Sequence, residues 1–166
     1  MPNIIKYKSP FGVMTIQEND GKISRVYLPN SEPCVNITES SSGLLEEAKN
    51  QFGEYFNGAR KAFELPLSFD GCGDFYIKVY LRLLKIPYGE TASYKQIAEA
   101  VDCPKGYRAV GSANNKNPLP VIIPCHRVIG GGGKPVGYAG GIDLKIKLLG
   151  LEKLNACLMP DNRIFL

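Results

Sequence analysis

Histidine occurs once in the 166 residues, at His126, and tryptophan does not occur at all. The five cysteines, Cys34, Cys72, Cys103, Cys125 and Cys157, include no C-x-x-C pair. Zinc sites are built from closely spaced Cys and His ligands, so no metal is expected. An odd number of widely spaced cysteines also argues against a disulfide framework and for reduced thiols. No apolar run approaches the roughly 18 residues needed to span a bilayer. The N-terminal stretch Met1-Pro2-Asn3-Ile4-Ile5-Lys6 lacks the basic and apolar regions of a secretion signal. The expectation is therefore a cytoplasmic protein with no membrane partner, long enough to bury its own core.

Acidic residues are missing from a long stretch. Between Asp102 and Asp143 there are none, while Lys105, Arg108, Lys116, Arg127 and Lys134 all fall there. Residues 1–73 carry a net charge of -2 and residues 74–166 one of +6. A basic face confined to one half suits a polyanion, with nucleic acid the first candidate, although an ordinary solvated surface fits charge alone equally well.

The first third alternates like a small antiparallel sheet. Segments 4–8, 12–17 and 22–28 are separated by Ser9-Pro10 and by Asn19-Asp20-Gly21, a strong hairpin signal. A polar loop over 29–42 leads to a helix capped by Ser42, with Leu44, Leu45, Ala48, Phe52, Tyr55 and Phe56 on one face. Residues 59–72 read as a connector. Asp74 is expected to cap a second helix with Tyr76, Val79, Tyr80, Leu83 and Leu84 on its buried stripe. Ser93 is placed to cap a short helix over about 94–101. Another helix is expected over 105–115, with Pro104 at its first position. Two short helices joined by a tight turn fit a helix-turn-helix. A last helix is expected from about Asp143 to Leu151, with Glu152 at its end. The fold class that follows is α+β: an N-terminal three-stranded antiparallel sheet with a helix, then a mostly helical, winged-helix-like C-terminal part.

The chemistry concentrates in Pro124-Cys125-His126-Arg127-Val128, approached through the apolar run Val121-Ile122-Ile123. A thiolate is the strongest side-chain nucleophile, and a neighbouring imidazole is the usual group that generates it. A buried structural cysteine beside a chance histidine is the competing reading. The apolar approach suggests extended chain at this point. Adjacent side chains would then point apart. The glycine-dense segments 130–133 and 137–141 lack the Gly-Lys-Ser/Thr of a phosphate loop and suggest either backbone conformations that other residues resist or close approach of backbone to a ligand.

From Ile86 onward the chain resembles the O6-alkylguanine-DNA alkyltransferases, the methylated-DNA–protein-cysteine methyltransferases. The resemblance is carried by Ile86-Pro87-Tyr88-Gly89-Glu90-Thr91, Ser93-Tyr94, Arg108-Ala109-Val110-Gly111, Asn117-Pro118, Ile123-Pro124-Cys125-His126-Arg127-Val128, Gly137-Tyr138-Ala139-Gly140-Gly141, Lys145 and Glu152. It implies an N-terminal ribonuclease-H-like domain over 1–73 and a DNA-binding, alkyl-acceptor domain over 74–166. It also implies a monomer without cofactor that binds the minor groove of double-stranded DNA containing O6-alkylguanine. The damaged base would be flipped out and its alkyl group moved irreversibly to Cys125, once per molecule, with O4-alkylthymine as a further substrate.

The same resemblance implies residue roles. Glu152, His126, a water and Cys125 form the proton chain. Arg108 fills the space that the base leaves. Tyr94 rotates the nucleotide and then bonds the guanine ring. The carbonyls of Cys125 and Val128 accept the guanine amino group. Tyr138 shapes the pocket and the backbone N–H of Ala139 faces O6, where many members have Ser. Asn117 braces the turn behind the nucleophile, Lys145 supports the loop over the pocket, and Ser93 lies on the DNA-binding side. Tyr76 and Tyr80 depart from the family pattern and are expected to affect packing alone.

Three other readings use parts of these observations. A cysteine hydrolase would leave the basic helix pair unexplained. A non-catalytic lesion binder of the alkyltransferase-like type would lack Cys125. A transcription factor would need base-reading side chains where Ala109, Val110 and Gly111 stand.

Overall fold

The structure is a computed structural model that describes residues 2–34 and 38–158; the tail of the expected C-terminal part, 159–166, lies outside the described residues. Strands β1 (Asn3–Ser9), β2 (Gly12–Asn19) and β3 (Lys22–Tyr27) form an antiparallel sheet in chain order. At the second turn Asp20 and Gly21 have φ of 50° and 74°, the double positive φ of the tight hairpin that Asp-Gly favours. Helix α1 (Gly43–Phe56) starts at Ser42, whose side chain accepts the Leu45 N–H at 3.1 Å. It buries Leu45, Ala48, Phe52 and Tyr55 completely, and it packs against all three strands. The connector closes on the sheet edge, where Ile23 donates to Pro66 O and accepts from Ser68 N.

Helix α2 (Asp74–Leu83) corrects one expectation. Its cap is Gly73, in extended conformation, and Asp74 is the first helical residue, with its carboxylate still in the favourable first turn. Tyr76 and Tyr80 also do more than pack. The Tyr80 hydroxyl donates to Ala113 O at 2.8 Å and Tyr76 pairs with Ser112 Oγ at 2.7 Å, which ties α2 to the second helix of the helix-turn-helix.

That motif consists of α3 (Tyr94–Ala100) and α4 (Tyr107–Asn115). The second helix begins two residues later than expected. Pro104 and Lys105 are spent in a turn closed by Gly106 N donating to Cys103 O at 2.8 Å, and Gly106 becomes the cap. Only glycine fits there, because a Cβ would stand 2.6 Å from Cys103 Sγ. Strand β4 (Ala92–Ser93) pairs in parallel with β5 (Val128–Ile129), a two-residue contact that links the motif to the Cys-His segment.

Helix α5 (Ile142–Leu158) runs well past Leu151, so Glu152 lies in its middle rather than at its end. A single apolar cluster connects the sheet, all five helices and the segment from Leu119 to Val128. β3 touches that segment directly, with Val26 N donating to Pro118 O at 2.9 Å. No helix among the described residues is long and apolar enough to cross a membrane.

Candidate active site and DNA-facing surface

Asn117 organises the turn before the cysteine. Its Oδ1 accepts Leu119 N at 2.9 Å and its Nδ2 donates to Ile123 O at 2.9 Å, so one side chain brackets the loop. Within that loop Val121 adopts φ 74°, a conformation that a β-branched residue resists and that persists only where surrounding contacts impose it. Pro124, at φ -79° and ψ 62°, centres an inverse γ-turn in which Cys125 N donates to Ile123 O at 2.7 Å.

Cys125 to Arg127 then form one 3-10 turn, not the extended chain that the apolar approach suggested. The proline turn breaks the strand-like run, and the tighter geometry lets both His126 and Arg127 reach α5. Glu152 is their common partner. Its Oε1 accepts His126 Nε2 at 2.7 Å and Arg127 Nη2 at 2.8 Å, and its Oε2 accepts Arg127 Nε at 2.9 Å. Tyr55, from α1, donates its hydroxyl to the same Oε1 at 2.8 Å. Arg127 Nη1 also donates to Ile86 O at 2.7 Å.

These contacts determine protonation. Burial alone would raise the Glu152 pKa, but the His126 and Arg127 contacts override it and hold the carboxyl down to about 2. The ionised carboxylate takes the Nε2 proton of His126, which leaves Nδ1 as the basic nitrogen. Nδ1 is buried and has no hydrogen-bond partner among the described residues. Burial lowers the imidazole pKa and outweighs the pull of Glu152, whose charge Arg127 shares. His126 is therefore neutral at pH 7 and able to accept a proton.

Of the five cysteines, Cys125 is the buried one, at 3% exposure. Burial pushes its thiol up to about 11, while Asn117 and the Lys145 charge pull the other way. Lys145 is itself fully buried. Its ammonium donates to Val128 O at 2.5 Å, Val136 O at 3.1 Å and Gly137 O at 3.2 Å, so it fastens the glycine-rich loop beside the thiol. The Val128 carbonyl is thus already engaged on one side, with a second lone pair still available. Tyr94 donates its hydroxyl to Val136 O at 3.0 Å, and the Tyr138 hydroxyl is buried without a partner among the described residues. Burial raises the pKa of both phenols, and both rings pack against the apolar cluster that includes Cys125.

The structure thus gathers Cys125, His126, Glu152, Asn117, Val128, Lys145, Tyr94 and Tyr138. Three of the anticipated residues lie apart. Ser93 uses its Oγ to accept Gln96 N at 3.0 Å, half of a capping box at the start of α3. Ala139 is exposed on the loop. Arg108 is exposed in the first turn of α4 and lines an open groove of about 760 Å³ with Tyr94, Lys95, Lys105, Tyr107 and Gly131. Tyr94 belongs to both the groove and the buried site. Sequence reasoning missed Arg127 and Tyr55 as partners of Glu152. Arg127 was visible only as one more basic residue of the motif, and Tyr55 only as part of an apolar helix face.

Comparison with known proteins bears on these residues as a set. Residues 74–154 match the 6-O-methylguanine DNA methyltransferase, DNA binding domain, and residues 4–69 match the ribonuclease-like domain of the same name. The constitutive methylated-DNA–protein-cysteine methyltransferase of Bacillus subtilis is 43% identical over 155 residues, covering 89% of this chain and 93% of that protein. The enzyme of the same name from Mycobacterium leprae is 50% identical over 148 residues, covering 87% and 88%. The crystal structure of Mycobacterium tuberculosis OGT in complex with DNA superposes with a TM-score of 0.84 at 39% identity, covering 92% of this chain and 94% of that one. With both domain matches in order and relatives aligned along most of its length, the chain belongs to the 6-O-methylguanine DNA methyltransferase family.

Proposed function

We propose that this protein repairs double-stranded DNA by moving the alkyl group of O6-alkylguanine to Cys125. The seat of Cys125 carries the reading: a sole buried thiol on a turn bracketed by Asn117, next to a neutral imidazole anchored by Glu152, with no partner for its other nitrogen among the described residues. Family membership supplies the reaction class, DNA repair by alkyl transfer.

In this reading α4 enters the minor groove and Arg108 fills the place of a flipped guanine, whose phosphate is crowded by Tyr94. Residues 74–166 carry DNA binding and the acceptor, and residues 1–73 hold them in place. The carbonyls of Cys125 and Val128 accept the guanine amino group, Tyr138 walls the pocket, and the backbone N–H of Ala139 stabilises O6. Ser93 sets the start of the helix that presents Tyr94.

The thiol proton passes through a water to His126 Nδ1, and Glu152 stabilises the imidazolium. Sγ then attacks the alkyl carbon and forms the S–C bond. The C–O6 bond breaks with its electron pair going to guanine, which regains one proton. The sum is thiol plus alkylguanine giving thioether plus guanine. A thioether offers no leaving group to any residue in the site, so each molecule reacts once; none of these roles calls for a second copy or a cofactor.

The test is intact-mass spectrometry after incubation with duplex DNA bearing one O6-methylguanine. One methyl per protein, located on Cys125 and absent from Cys125→Ser, is the expected result. Binding without mass gain would leave a lesion-recognition protein instead. Arg108→Ala should slow repair in duplex far more than reaction with free alkylguanine, and equal losses on both would remove its role in flipping.

A further inference from the structure

Helix α4 presents a short face to Tyr94. At Gly111 a Cβ would lie 3.9 Å from Tyr94 Cε1, so the phenol ring packs against the helix at this turn. Asn114 follows three residues later on the same face. It is 8% exposed, and both atoms of its carboxamide are shut off from solvent with no hydrogen-bond partner among the described residues. An unpaired buried carboxamide is unfavourable, and an apolar side chain of the same shape would suit this arrangement better. Such a group makes sense when another state of the protein gives it a partner.

The Tyr94 side chain, packed on the same face of α4, carries the polar atom that could serve. Burial raises the Tyr94 pKa, and the neighbouring Asn114 carboxamide lowers it. In the free protein the single hydroxyl proton is committed to the Val136 carbonyl, 3.0 Å away on the glycine-rich loop that Lys145 also fastens. A phenol has one proton to give, so the same hydroxyl donates to an incoming base only after it releases Val136.

We propose that Asn114 is a positioning residue for Tyr94: its carboxamide N–H donates to the Tyr94 oxygen once that hydroxyl leaves Val136, and so aims the Tyr94 O–H at the base. The proposal rests on the reading of Tyr94 as a base-contacting residue. The resulting chain runs from Asn114 Nδ2–H to Tyr94 oxygen, and from Tyr94 O–H to a ring nitrogen. Each donor polarises the next. No covalent step is added, and Asn114 itself touches neither the thiol nor the alkyl group.

The experiment is a double-mutant cycle on the second-order rate of alkyl transfer, read as mass gain on Cys125, with Asn114→Leu, Tyr94→Phe and the double variant. Asn114→Leu is expected to slow transfer about tenfold, the scale of one productive hydrogen bond. Its melting temperature should be unchanged or higher, because an unpaired buried amide has been removed. In the Tyr94→Phe background the same change should have no further effect. The Tyr94 hydroxyl pKa, followed by NMR of labelled tyrosine, should rise in Asn114→Leu. Additive losses, a rate that falls only with the folded fraction, or a Tyr94→Phe variant as fast as the parent would each overturn the proposal. Absence of any mass gain on Cys125 in the parent protein would overturn the reaction itself, and the proposal with it.

Discussion

Helix α1 takes part in two regions that bury side chains by opposite means. Around Phe52 the neighbours are rings, with Tyr7, Phe56 and Phe63 all within 6.4 Å between centroids. Around Glu152 they are charged or hydrogen-bonding groups, Arg127, His126 and the hydroxyl of Tyr55. Tyr55 belongs to both, its ring 5.5 Å from Phe63 and its oxygen on the carboxylate. The apolar region contributes stability in proportion to what is buried and gives way gradually. In the polar region each member is tolerable only because the others are present, so loss of one strands the rest.

Glu152→Ala should break the comparison most visibly. Arg127 would be left buried and unpaired, at about 3–5 kcal/mol in stability. Transfer should also fail in whatever protein still folds, because nothing would orient His126. Urea unfolding together with mass gain per folded molecule checks both. Phe52→Ala should cost about 3–4 kcal/mol, yet leave the transfer rate per folded molecule unchanged. A slowed rate there would show that the two regions are not separable.

The pH dependence should divide them further. In the unfolded chain His126 and Glu152 bind protons near 6.5 and 4.5, whereas folding lowers both pKa values, that of Glu152 to about 2. The unfolded state therefore takes up protons first, and stability declines as pH falls, beginning below about 6.5 and steepening between 4.5 and 2. Glu152→Gln should remove the steeper part, as seen in urea midpoints across that range. The smallest effect is expected from Tyr55→Phe. It keeps the ring and deletes one hydrogen bond to Glu152, at about 1 kcal/mol. A larger loss would mean that the hydroxyl supports the charged cluster beyond its own bond.

What was legible in the sequence was local. The Asp-Gly hairpin, the Ser42 and Ser93 caps and the apolar face of α1 follow from rules that act within a few residues, and each stands where those rules put it. The motif around Cys125 was also plain, because its residues are adjacent. The gathering of Tyr55, Ile86, Arg127 and Glu152 was not, since the separations reach 97 positions and no periodicity records them. The 3-10 turn at Cys125 escaped for a related reason: β-branched residues before a proline read as strand, and the Asn117 side chain that bends them acts from outside the run. The start of α4 was misplaced because Gly106 answers to Cys103, a packing constraint that helix-start preferences do not contain.

The depth of Cys125 has a consequence for chemistry in the cell. A thiol at 3% exposure with its pKa pushed up to about 11 is a poor target for dissolved oxidants, disulfides and small alkylating agents, which consume accessible thiolates. Cys34 and Cys157, both exposed, would meet such reagents first. Concealment therefore acts as a preservative for this one buried thiol. Burial keeps that sulfur intact while the exposed cysteines react.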